Sequence, residues 1–150
     1  MKALPYIVTA MKAAADFRTD PEVLSRFPEV SPEVIPTGAR ILVQLMSHNT
    51  KTASGIVLVE ETKETEKWNM QVARVIAVGD LAFCNRDTGL PWLEGTWCEP
   101  GDFVIVPRWG GNRRTVKGKD GQEVYFATVN DHEVIERVYG NPLKLDTYIL

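Results

Sequence analysis

From Arg40 onward the chain is a series of short, branched apolar runs, each closed by turn residues, and this punctuation limits what it can fold into. Ile41-Leu42-Val43-Gln44-Leu45 opens the series, and the run from Gln71 to Val78 ends at Gly79-Asp80. Phe103-Val104-Ile105-Val106 follows Pro100-Gly101-Asp102, and Glu123 to Val129 follows the hairpin signal Asp120-Gly121. Val134-Ile135-Glu136-Arg137-Val138 makes a last run. Valine, isoleucine and aromatics suit a pleated, half-buried surface, so these segments predict five or six short strands in a small barrel or sandwich. There is no internal repeat.

Residues 1–36 have a different texture. Leu4, Ile7, Val8 and Met11 form a weak helical face that Pro5 blunts. Asp20-Pro21-Glu22 is a helix start, with Asp20 as cap and Pro21 in the first turn, while Pro28, Pro32 and Pro36 forbid anything long. The expectation is an N-terminal arm, 1–36, with one or two short helices and an extended proline-rich connection. As a secretory signal the arm fails, because Lys12, Asp16 and Arg18 follow too closely on Ile7-Val8. As a mitochondrial presequence it carries too many acids, and a cytoplasmic protein is the default.

The chain's 150 residues leave room for one compact domain plus this arm. With 17 Lys+Arg against 20 Asp+Glu and a net charge of −3, it lacks the basic field of a general nucleic-acid binder. Two cysteines and two histidines make a metal site or disulfide framework a poor reading. His48 and His132 have no Ser, Cys or carboxylate at a catalytic spacing. Cys84 and Cys98 flank the Asn85-to-Gly89 turn and are expected as free, packed thiols. Arg108, Arg113, Arg114, Lys117 and Lys119 form one basic cluster, read as a solvated hairpin tip, with single-stranded nucleic acid binding as a minor alternative.

Two intervals break the β grammar. Ser47 to Lys67, SHNTKTASGIVLVEETKETEK, is polar and charged except for Ile56-Val57-Leu58-Val59 after Ser54-Gly55. Taken alone it reads as a strand with a charged end, or as a mobile loop that displays an apolar cluster. The second interval, Asp80 to Trp109, holds Trp92, Trp97 and Trp109, with Trp68 just upstream. Tryptophans so placed commonly plug barrel ends.

In order, the segments Pro36…Arg40-Ile41-Leu42-Val43, Lys51-Thr52-Ala53-Ser54-Gly55-Ile56-Val57-Leu58, Val75-Ile76-Ala77-Val78-Gly79, Gly101-Asp102-Phe103-Val104-Ile105-Val106 and Glu123-Val124-Tyr125-Phe126…Asp131-His132-Glu133-Val134-Ile135-Glu136-Arg137-Val138 resemble the GroES co-chaperonin family. The resemblance implies a mainly β, irregular GroES-like barrel over 37–138, with a mobile loop at 47–67 and a roof hairpin at 81–99, followed by a tail at 139–150. It implies a non-enzymatic lid on a GroEL-type chaperonin ring that encloses non-native protein, with no cofactor of its own because the partner handles ATP. It places chaperonin docking on Gly55, Ile56, Val57 and Leu58. It pairs the opening strand of one protomer (Ile41, Leu42, Val43) with the closing strand of the next (Val134, Ile135, Val138) in a homo-oligomeric ring, expected to be a heptamer. Trp109 matches an aromatic that faces the cavity.

The arm, the tail, the acidic flank Glu60-Glu61 and Ala73 in place of a glycine depart from the family pattern. Extended, divergent members encoded by viruses redirect a host chaperonin toward a capsid protein, an origin that would suit this chain and would put it in the host cytoplasm. The competing class is a viral structural or decoration protein on a small barrel. An enzyme related to medium-chain alcohol dehydrogenases is disfavoured, because neither a dinucleotide-binding half nor zinc ligands are present.

Overall fold

The computed structural model describes residues 17–47 and 68–145. It contains helix α1 (Pro21–Ser25) and six strands: β1 (Arg40–Leu45), β2 (Val72–Val78), β3 (Phe103–Ile105), β4 (Asn112–Lys117), β5 (Glu123–Asn130) and β6 (Glu136–Val138). All pairings are antiparallel, in one sheet of order β4-β5-β1-β2-β3-β6. The mainly β, small-barrel expectation is met.

β1 is the centre of the sheet. Its Ile41 faces Val78 on β2 and Val129 on β5, so both of its backbone edges are bonded. Between Leu42 and Val43 the register to β2 slips, leaving Ile76 without a partner. Such a bulge raises local twist and helps a short sheet to curl. Gly79 closes the β2 end, where an added Cβ would lie 2.2 Å from the Gly38 carbonyl oxygen. Only glycine permits this backbone approach.

Alternation along β1 feeds two cores. Ile41, Val43 and Leu45 pack with Val75, Val104 and Val129 inside the barrel. Leu42 points the other way, into a cluster with Val124 and Phe126 that Val30 covers. The described part of the arm, residues 17–36, therefore shares the core of the domain. Val23 and Phe27 are buried against Met46, Val72, Phe103 and Val138, and burying each contributes roughly 1.5–3 kcal/mol. The Phe27 ring lies 5.3 Å from that of Phe103, and the Arg74 guanidinium lies 5.7 Å from its centroid. α1 begins where the sequence places it, with the Asp20 carboxylate accepting from the Glu22 and Val23 amides at 2.9 and 3.4 Å.

Two elements differ from the sequence reading. The polar Asn-Arg-Arg-Thr-Val-Lys, expected within a solvated hairpin tip, is strand β4, paired with β5 from Asn112↔Thr128 to Lys117↔Glu123. The closing strand is shorter than 134–138. Asp131–Glu133 forms a 3-10 turn, Val134 drops into the core, the Ile135 amide donates to the Ile105 carbonyl at 2.9 Å, and the strand itself is Glu136–Val138.

Candidate functional site

Gly55, Ile56, Val57 and Leu58 lie outside the described residues, but the structure fixes both roots of the segment that carries them. β1 and β2 are neighbours, so the chain leaves after Ser47 and returns at Trp68 at one end of the sheet. At the departing root the Met46 amide donates to the Val72 carbonyl at 2.9 Å. The Ser47 amide and hydroxyl both donate to the Arg26 carbonyl, at 2.8 and 2.9 Å, and Arg26 Nε donates back to the Ser47 carbonyl.

At the returning root Arg113 is the organising side chain. It projects from β4 into the sheet end, buried, and donates to the carbonyls of Met70 (2.8 Å), Pro107 (2.7 Å) and Gly110 (3.0 Å). Burial pushes its guanidinium down to about 10, so it stays charged at neutral pH. Charge-assisted bonds of this kind are the strong ones, and only a forked guanidinium reaches three carbonyls at once. Arg114 is also committed to structure, donating to the Pro32 carbonyl of the arm at 2.8 Å. The basic cluster thus spends two of its cations on backbone oxygens, which weakens the nucleic-acid reading.

Trp109 is 61% exposed and adopts a left-handed φ of +59°. Its amide donates to the Trp68 carbonyl at 2.8 Å, and the two indoles stack with centroids 5.9 Å apart and planes 11° apart. The flanking Gly111 has φ +74°, and a Cβ there would meet the Thr128 carbonyl oxygen at 2.6 Å. An aromatic is therefore held out from the barrel beside the returning root.

The stretch 81–99 is a looped excursion with a single bridge, Cys84↔Pro91, around a nest in which Phe83 touches Trp92 and Trp97 at 5.5 and 6.0 Å. Trp92 and Trp97 take the plugging role. Phe83 has a left-handed φ of +62°, and its amide donates to the buried Asp131 carboxylate at 2.9 Å. Leu90 and Leu93 point outward. Cys84 and Cys98 are free thiols, and burial raises Cys98 to about 11. Among the described residues no group of three or more His, Cys, Asp or Glu is placed to hold a metal, and no helix is long and apolar enough to cross a membrane.

The residues expected at the subunit contact differ in their exposure within the protomer. Ile41, Leu42 and Val43 are fully buried, and β1 has no free edge to offer a neighbour because β2 and β5 occupy both. Val134 and Val138 are also buried, leaving Ile135, 54% exposed, as the outward member of the set. Among the described residues the outer strands of the sheet are β4 and β6. Beside β6 runs a cleft of about 760 Å³ lined by Gln71, Ile105, Ile135, Arg137, Tyr139 and Leu145. The exposed apolar segment nearest the opening strand is Val34-Ile35, with Ile35 81% exposed. The signal for it was present in the sequence as Val34-Ile35-Pro36, a short apolar pair inside the proline-rich connection.

Residues 33–135 match the family model described as the chaperonin 10 Kd subunit. The mitochondrial 10 kDa heat shock protein of Schizosaccharomyces pombe is 36% identical over 106 residues, spanning 68% of this chain and 86% of that protein. Its Saccharomyces cerevisiae counterpart is 34% identical over 107 residues, 70% of this chain and 88% of its own. The co-chaperonin GroES of Rubrobacter xylanophilus is 36% identical over 85 residues, 57% of this chain and 78% of its own.

Proposed function

The chain belongs to the chaperonin 10 kDa subunit family, and from that membership we propose that it is a co-chaperonin subunit that forms a ring, caps a GroEL-type chaperonin and encloses non-native protein without catalysing a reaction itself. The observation that carries the reading is the family match, which spans β1 to β5 and the segment between β1 and β2 together. Docking is assigned to Ile56, Val57 and Leu58, with Gly55 as a permissive shoulder.

The energetics suit a cycling lid. Burying three aliphatic side chains contributes roughly 1.5–3 kcal/mol each. Ordering the loop around them costs about 1–2 kcal/mol per residue, so a single loop binds weakly and reversibly. Repeating the loop on a ring makes every docking after the first intramolecular, which raises avidity without new contacts. Release then needs only a modest change in the partner, driven by the partner's ATP cycle.

For assembly, we place the contact between the exposed Val34-Ile35 segment of one protomer and the outer β6 edge and its cleft on the next, where Ile135 and Tyr139 are exposed. Strand addition satisfies backbone groups that an edge leaves unpaired. A heptamer is the expected ring. Trp109 is assigned to the inner wall. The working compartment is the cytoplasm, the host's if the chain is virus-encoded.

Native mass measurement and co-sedimentation with an ATP-loaded GroEL-type ring test this reading together. A ring-sized species that co-sediments, and loses binding on Val57→Ser or Ile56→Asp with its mass unchanged, is the expected result. A protein that stays monomeric and ignores the loaded chaperonin would overturn it.

A further inference from the structure

Segment 48–67 leaves the barrel at Ser47, and what holds Ser47 comes from outside the family match at 33–135. Arg26 takes both donors of Ser47, the amide at 2.8 Å and the hydroxyl at 2.9 Å, on its carbonyl, and returns a side-chain bond from Nε to the Ser47 carbonyl. Ser47 is itself buried at this contact.

Arg26 is well placed to act as an anchor because its own position is determined on both sides. Before it, α1 is capped by Asp20 and carries Val23 into the core. After it, Phe27 is buried against Phe103, and the Pro28 carbonyl accepts from the buried Gln44 side chain at 2.7 Å. Gln44 in turn accepts from Arg74 at 3.1 Å. The arm thus reaches the root of the docking segment as a fixed element, opposite the Arg113 anchor on Met70.

We propose that Arg26 is a positioning residue for chaperonin docking, fastening Ser47 so that the docking segment starts from a fixed point on the barrel. This rests on the assignment of docking to Ile56, Val57 and Leu58 within 48–67. If the root is loosened, Ser47 and its described neighbours gain freedom that docking must remove. Each such residue, fully ordered, lowers the affinity of that loop roughly five- to thirtyfold. The loss recurs at every subunit of the ring.

The test uses the full-length protein and an ATP-loaded GroEL-type ring as probe, with native mass, thermal melting and amide exchange at Ser47 measured alongside. Arg26→Ala removes the Nε bond while the residue-26 carbonyl keeps both Ser47 donors. It is expected to keep its ring mass, to exchange faster at Ser47 as the root opens more often, and to lose about tenfold in docking affinity, the worth of one bond from a charged group. Arg26→Lys, which still carries a donor, should recover most of that loss. Arg114→Ala removes a different anchor of the arm, at Pro32, without touching Ser47; it should dock within about twofold of the parent even where melting falls. If Arg26→Ala does not assemble, Ser47→Ala, lacking only the hydroxyl bond, should show about threefold weaker docking. Docking by Arg26→Ala within about twofold of the parent, with Val57→Ser inactive, would overturn the positioning role. Equal docking losses for Arg26→Ala and Arg114→Ala would also overturn it, leaving only general stability. Unchanged docking by Val57→Ser would instead remove the docking assignment, and this proposal with it.

Discussion

Replacing Phe27 by alanine should cost the protein about 3–5 kcal/mol, the range for truncating a buried aromatic. The magnitude follows from what the ring touches. Phe27 is 2% exposed, packs against Phe103 at 5.3 Å, and shares a cluster with Val23, Met46, Val72 and Val138. It also underlies the Arg74 guanidinium at 5.7 Å, so truncation leaves a half-buried cation without its apolar floor. The surroundings belong to β2, β3 and β6, which are hydrogen-bonded to one another and have little freedom to collapse into the space. Urea unfolding at a fixed protomer concentration is the assay, because assembly makes apparent stability depend on concentration. The midpoint should fall while the slope stays constant, since the same surface is exposed on unfolding. A loss under about 1 kcal/mol, or a separate early transition for the arm, would show that residues 17–36 are an appendage rather than part of the core.

Other perturbations follow from the same contacts. Arg113→Met should destabilise by about 2–4 kcal/mol, because three carbonyls lose their donor, and Arg113→Lys should recover only part of it; chemical denaturation of both checks this. Gly79→Ala should cost more than about 2 kcal/mol through its 2.2 Å backbone clash, whereas Gly121→Ala, with open space and φ +80°, should cost about 1 kcal/mol from strain alone; thermal melting ranks them. The Cys98 thiol, raised from 9.0 to about 11 by burial, ionises later in the folded than in the unfolded chain. Its contribution is therefore fully present below pH 9 and lost as pH rises toward 11, at no more than about 1.4 kcal/mol per pH unit. Stability measured from pH 8 to 11 should show this decline, and Cys98→Ala should flatten it. A thiol reagent at pH 8 should label Cys84, which is partly exposed, well before the buried Cys98.

Much of the fold was legible because its signals are local. The runs at 41–45, 71–78, 103–106 and 123–129 become strands within a residue or so, and Asp20-Pro21 starts the helix. β4 escaped because one of its two faces meets water, so its alternation reads as charge; Arg113 fills a buried position that a composition argument assigns to solvent. The neighbours of the opening strand were not legible for a related reason: the sequence carries no record of which strands lie on either side of Ile41-Leu42-Val43, and within the protomer these are β2 and β5.

By itself, then, the sequence determined the β class, the turn positions, the helix cap and the family resemblance, since each depends on a few consecutive residues or on their order along the chain. Tertiary structure alone decided that the described part of the arm is core, that Gln44 can be buried because Pro28 and Arg74 satisfy it, and that Arg26 and Arg113 hold the two roots of one segment. Those contacts join residues from 16 to 43 positions apart. No local pattern encodes such pairings, because they exist only once the sheet has curled and brought its end against the arm.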